Sequence, residues 1–264
     1  MIESCSNCGK PVNDNFCGFC GQKKYIRIDR KYIVNELENT ILQTNKGFLY
    51  SIKNLIINPG KTAREFIEGS RVNHYKPILL AFLLSGISAF ISFKIIGLME
   101  IMEAYYSKQN MSSQLMTDYL SFTSSYNSII MLSLVPFFAL ITKLSFRKWE
   151  NNYYEHIVMN AYILSLYTMI NILILYPIMF FLKNESDIVI HLSSLSLLSV
   201  PLILIWFFNG YYKEKSLKKI IGRVLLIILL TILSFILLMI VSVIGGVIFA
   251  MLKGPEALEY LKPK

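Results

Sequence analysis

The sequence predicts an all-α polytopic membrane protein, about five transmembrane helices behind a small soluble N-terminal module. Three observations predict it. Hydrophobic residues make up 54% of the 264 and charged residues only 16%, against about 25% charged in an ordinary soluble domain. The deficit lies after residue 76, where long apolar runs replace a soluble composition. All four cysteines fall in the first twenty residues, as two C-x-x-C pairs.

The pairs are Cys5-x-x-Cys8-Gly9 and Cys17-x-x-Cys20-Gly21. Two intervening residues let both sulfurs of a pair reach one ion from a tight knuckle. The glycine after the second cysteine permits the backbone turn that aims N–H groups at the thiolates. Pro11 and Asn13, Asp14 and Asn15 supply turn signals for a short hairpin between the knuckles. A redox dithiol needs one such pair within a thioredoxin-like pattern, which is absent, and a reducing cytosol disfavours disulfides. The reading is a ribbon over residues 1–24 holding one structural Zn2+ on Cys5, Cys8, Cys17 and Cys20. Four thiolates fill the shell and leave no open position for catalysis. The basic run of Lys23, Lys24, Arg27, Arg30 and Lys31 reads as a lipid or topology signal and needs no nucleic acid to explain it.

Residues 25–76 read as short cytosolic amphipathic helices. Ile33, Leu37 and Ile41 share one helical face, and Phe48, Leu49, Ile52, Leu55 and Ile56 form a second stripe. Then Asn58 suits an N-cap, Pro59 the first helical position and Gly69 the stop. These helices are expected at the membrane interface with their apolar side towards lipid or the bundle, or as a cytosolic hairpin packed on itself. Arg64, Glu65, Glu68 and Arg71 are spaced to pair along one face. They read as a solvated salt-bridged face, or as a cytosolic gate or headgroup site.

The transmembrane domain is expected over 77–252, with spans at 77–99, 126–144, 157–182, 188–208 and 224–252 and a tail at 253–264. Each run reaches the ~20 apolar residues needed to cross the hydrocarbon. The last three carry no Asp, Glu, Lys or Arg. The first run begins near Pro77, so this helix is expected to act as the insertion signal. With the N-terminus in the cytosol, 20 of the 26 Lys and Arg fall on the cytosolic side, the bias that sets orientation. This places a multi-pass protein in the cytoplasmic (inner) membrane, N-terminus cytosolic and C-terminus outside. Gly245 and Gly246 interrupt the last run. It is expected to tilt, to kink there or to end early, and a re-entrant ending would return the C-terminus inside.

Polar residues in and beside the spans are the remaining candidates. Glu155 and His156 stand at the mouth of the third span, as interfacial anchor and cap or as a proton relay or second metal site. Asn160 and Asn171 lie in the third span and His191 in the fourth, as packing glue or the lining of a path. His74 reads as an interface residue.

The double C-x-x-C-G ending in Gln22, the Asn58-Pro59-Gly60 step, the stretch from Arg64 to Arg71, Tyr75-Lys76-Pro77 before the first span and Tyr154-Glu155-His156 before the third resemble bacterial zinc-ribbon membrane proteins of the domain-of-unknown-function 3667 family. The likeness is strong in the N-terminal half and elsewhere rests on the pattern of apolar runs. The family usually shows Lys or a similar residue where this chain has Ser70. The resemblance implies a zinc ribbon joined to a helical membrane domain and assigns no activity.

No phosphate loop, nucleophile elbow or H-E-x-x-H helix is present. The expectation is an adaptor or regulatory membrane protein and not an enzyme: the bilayer holds the bundle, and the ribbon recruits a cytosolic partner. The alternative is a small-solute or ion transporter, and an intramembrane enzyme ranks last.

Overall fold

The structure is a computed structural model that describes residues 3–5, 8–20, 47–71 and 74–253. The chain divides into two compact units, Met1–Gly47 and Phe48–Lys264. The amphipathic stretch of Ile33, Leu37 and Ile41, the basic residues from Lys23 to Lys31 and the tail beyond Lys253 lie outside the described residues.

In the first unit, β1 (Glu3–Ser4) and β2 (Pro11–Val12) pair antiparallel, with Glu3 opposite Val12 and Ser4 opposite Pro11. So short a hairpin buries almost nothing; its core is Cys5, Val12 and Cys17. A unit of this size needs a staple such as a metal to hold it.

The second unit is helical. It opens with α1 (Gly47–Ile57) and α2 (Pro59–Ile67). The first span, α3 (Pro77–Ile96), starts at Pro77 and ends at Gly97, whose φ of 77° breaks the helix. That places its end before Met99. Two helices that hydropathy alone does not show, α4 (Leu98–Lys108) and α5 (Gln114–Ser125), fill the connection to the second span. Ser113 caps α5 by accepting from the Met116 N–H.

The second span, α6 (Asn127–Ser145), carries Pro136 inside. Proline has no N–H for the Leu132 carbonyl one turn back, and the Pro136 carbonyl itself accepts from the Tyr153 hydroxyl at 3.1 Å. The third, α7 (Tyr153–Phe181), begins with a capping box between Asn152 and Glu155. It therefore starts four residues before Ile157, and Glu155 and His156 belong to its first turn. The fourth span comprises α8 (Ser186–Ser196) and α9 (Ser199–Tyr211). The fifth, α10 (Leu217–Lys253), is one unbroken helix of 37 residues. Gly245 and Gly246 do not interrupt it, since a glycine with its i→i−4 bonds intact and lipid around it has no cause to kink. At 1.5 Å per residue it runs about 55 Å, well beyond an apolar layer of about 30 Å.

α7 is the centre. It packs on α3, α6, α2 and α9, and Met159, Tyr162 and Leu166 join Leu80, Phe207 and Phe208 in the main core. Lipid tails are as apolar as these side chains, so close packing rather than removal from water holds the bundle. Both α3 and α7 include a π-helical segment, Phe90–Ile96 and Asn171–Leu175.

Candidate functional site

The four cysteines converge. Their sulfurs all lie within 4.8 Å of one another, with Cys5 to Cys20 at 3.6 Å and Cys8 to Cys17 at 3.7 Å. A tetrahedron with metal–sulfur bonds of about 2.3 Å has edges of about 3.8 Å. A disulfide would need about 2.05 Å, and none joins these four cysteines. The donor set fits one metal ion held by four thiolates, a structural site with no position left for substrate. Gly9 sits at φ 71°, and its N–H donates to the Cys5 carbonyl at 2.8 Å, while the Cys5 N–H donates to the Lys10 carbonyl at 2.7 Å. That is the turn expected of the first knuckle. Phe16 and Phe19 stand 58% and 70% exposed on this small unit, the Lys10 ammonium 3.5 Å from the centre of the Phe19 ring.

The second construction is the seat of α2. The Asn58 side chain accepts from the Lys61 N–H, as an N-cap should. Pro59, Gly60, Thr62 and Ala63 are buried, and α2 packs on α9 and α7. The expected helix faces the bundle, not lipid alone. Gly60 makes this possible: a Cβ there would lie 2.0 Å from the Phe207 carbonyl oxygen and 2.4 Å from the Tyr211 nitrogen. Gly210 faces it, so two glycines let two backbones touch.

Of the charged residues on α2, Arg64 pairs with Glu68 at 4.0 Å and Lys61 with Glu65 at 3.6 Å. Arg71 departs from the expected pairing with Glu68. Gly69, at φ 111°, turns the chain off the helical face, and Arg71 Nε donates to the Phe66 carbonyl instead. His74, three residues before the first span, is buried. Its side chain is 1% exposed, with Nε2 3.6 Å from Glu65 Oε2. Burial lowers its pKa, and the Glu65 carboxylate opposes that.

Glu155 and His156 do different things. The Glu155 carboxylate closes the cap, accepting from the Asn152 N–H and from Asn151 Nδ2, both at 2.9 Å. Asn151, which nothing in the sequence singled out, is the hub. It also donates to the Tyr211 hydroxyl at 2.8 Å, accepts from the Tyr212 hydroxyl at 2.9 Å, and its carbonyl accepts from the Lys143 ammonium. Burial pushes the Tyr212 phenol pKa up, keeping it a donor. His156 is fully buried against Phe146, its ring nitrogens without partners among the described residues. Asn160 donates to Thr142 Oγ1 on α6 and to the His156 carbonyl, both at 2.8 Å, which ties α7 to α6. His191 is exposed, its ring bonded to the Asp187 carbonyl one turn back. It does not line an interior path, because its register on α8 turns it away from the bundle.

Asn171 does line a space. A cavity of about 260 Å³ is walled by side chains from α3, α6, α7 and α8, among them Ser85, Ser88, Thr168 and Asn171. The serines of α3 were not among the sequence candidates. Their spacing at i, i+3 and i+7, Ser85, Ser88 and Ser92, was the available signal.

Residues 45–89 match the model of the family described as Protein of unknown function (DUF3667). Over this segment the chain is similar to that family. The matched segment covers α1, α2 and most of α3, and so contains Asn58, Gly60, Glu65, His74, Ser85 and Ser88. What the family model matches is thus largely the docked α2 and its lead into the first span. No curated protein and no solved structure matches the chain.

Proposed function

We propose that this protein is an adaptor of the cytoplasmic membrane, whose zinc-loaded N-terminal ribbon recruits a cytosolic protein while the bundle anchors it. The observation that carries this reading is a cluster of four cysteine sulfurs, all within 4.8 Å of one another, on a unit that presents two exposed phenylalanines. A closed shell has no chemistry to offer, so the ion serves to fold the segment around it. Exposed aromatic side chains on a rigid unit are the usual anchors of protein recognition. Lys10 beside Phe19 favours a partner with an apolar pocket and an acidic rim. The choice of zinc rests on four soft ligands in tetrahedral array. The cytosolic position of the N-terminus rests on the Lys and Arg bias. At the mouth of α7, Glu155 is committed to its cap and Asn151, which leaves no constellation for catalysis among the described residues.

The test is crosslinked capture from native membranes with three forms of the full chain: natural, Cys8→Ser, and Phe16→Ser with Phe19→Ser. Metal content is measured on each. The expected result is one protein crosslinked to the natural chain and lost from both variants, with one zinc per chain retained in the phenylalanine variant. Capture of the same set by all three forms would refute the adaptor reading.

A further inference from the structure

The cavity among α3, α6, α7 and α8 is built for a ligand that packing does not supply. Ser85 is 2% exposed, and its hydroxyl has no hydrogen-bond partner among the described residues. Thr168 and Asn171, 5% and 7% exposed, direct no side-chain hydrogen bond to any described residue. All three line the same space. Elsewhere in the bundle several buried polar groups are matched, while the His156 ring nitrogens and the Tyr162 hydroxyl are not and line no part of this space. Asn160 meets Thr142, Ser165 and Ser145 bond to carbonyls one turn back, and Ser88 meets the Tyr176 hydroxyl at 2.6 Å. A donor or acceptor left unmatched away from water costs about 1–3 kcal/mol; the Ser85 hydroxyl is in that position, and an occupant that bonds to it and to Thr168 and Asn171 removes the cost.

The backbone points to the same place. The π-helical segment of α3 contributes Ser92 and Phe93 to the lining, and that of α7 contributes Asn171 and Leu175. A π turn widens the helix and re-aims its side chains, and such turns concentrate at functional sites. Here two of them, on different spans, border one cavity. The lining contains no Asp, Glu, Lys, Arg or His. An ion would therefore lie unpaired at membrane depth, at a cost of several kcal/mol. Hydroxyls and an amide suit a neutral molecule that both donates and accepts, and the volume exceeds what a single water occupies, about 30 Å³.

We infer that this cavity is an intramembrane binding site for a small uncharged hydrogen-bonding solute of the polyol or amide kind, with Ser85, Thr168 and Asn171 as its contacts. This site stands apart from the ribbon and does not depend on the adaptor reading.

The test uses the full-length protein in detergent micelles and saturation-transfer NMR, with glycerol and acetamide as probes. Acetate, the charged counterpart of acetamide, is the comparison, and empty micelles are the blank. Saturable transfer to glycerol and acetamide above the blank is expected, with none to acetate. Asn171→Leu fills the polar end and removes its amide; it is expected to weaken acetamide about tenfold, the loss of one good hydrogen bond. Ser85→Ala keeps the cavity's shape and is expected to weaken both probes; it carries the test if the leucine variant does not insert. Equal signals from acetate and acetamide would overturn the proposal. So would transfer no greater than the blank, or binding unchanged in Ser85→Ala.

Discussion

Helices α7 and α10 are both long, apolar and free of Asp, Glu, Lys and Arg beyond their ends, yet they play opposite parts. In α7, 33% of the apolar window is buried, against 11% in α10. Buried Ser165, Thr168, Asn160 and Asn171 punctuate α7, whereas beyond Ile227 α10 shows no buried side chain among its described residues. One helix is the hub against which the others pack, and the other faces its surroundings with an unrelieved apolar surface. The lesson is that hydropathy measures suitability for lipid and says nothing about which spans touch. Small and polar residues carry that information, because in lipid they are tolerated where another helix meets them.

The sharpest break of this contrast is a pair of glycine substitutions. Gly60→Val places a Cβ into the backbone of α9, 2.0 Å from the Phe207 oxygen, where no side-chain rotation relieves it. We expect α2 to lift from its seat at a cost of about 3 kcal/mol, read as lower thermal stability in detergent and new protease cleavage in α2. Gly245→Val on α10 meets nothing within 4 Å and is expected to change stability by less than about 0.5 kcal/mol. Comparable losses from both would mean that α10 packs on something as tightly as α2 does.

Next come two leucines. Leu166 on α7 is 1% exposed and Leu237 on α10 is 62% exposed. Leu166→Ala leaves a cavity in the hub and is expected to cost about 2–5 kcal/mol, while Leu237→Ala exchanges one lipid contact for another and is expected to cost less than about 0.5 kcal/mol. Thermal unfolding followed by Trp149 and Trp206 fluorescence separates the two.

Much of this was legible in the residues. Five apolar runs read as spans, and five helices long and apolar enough to cross a membrane are present. The C-x-x-C-G pairs foretold a cluster of four thiols, and Asn58, Pro59 and Gly69 foretold the limits of α2. What was not legible depends on neighbours distant in sequence. Gly60 looks like a turn residue until Gly210 is placed against it. His74 looks like a surface residue until Glu65 is found beside it, and Asn151 looks like a loop residue until Tyr211 and Tyr212 reach it from sixty positions away. π-helical turns have no local signature, so the convergence of Ser92 and Asn171 could not be read from spacing.

The smallest expected effect is a pH dependence confined to the packed side of the molecule. His74 is nearly fully buried between the Tyr50 and Phe66 rings, with centroids 5.1 and 6.3 Å away. Burial lowers its pKa below the ordinary 6.5, with Glu65 pulling the other way. Between the lowered value and 6.5 the unfolded segment binds more protons than the folded one, so stability rises with pH across that window and falls on acidification through it. Hydrogen exchange of α2 amides is expected to quicken modestly from about pH 7.5 to about pH 5.5, after correction for intrinsic rates, and to stay level in His74→Phe, which keeps a ring between Tyr50 and Phe66. α10 from Val224 to Leu252 carries no titratable side chain and supplies the flat reference within the same experiment. The opposite slope, protection growing with acid, would mean that the Glu65 carboxylate outweighs burial and that α2 is fastened to its seat by a charged pair.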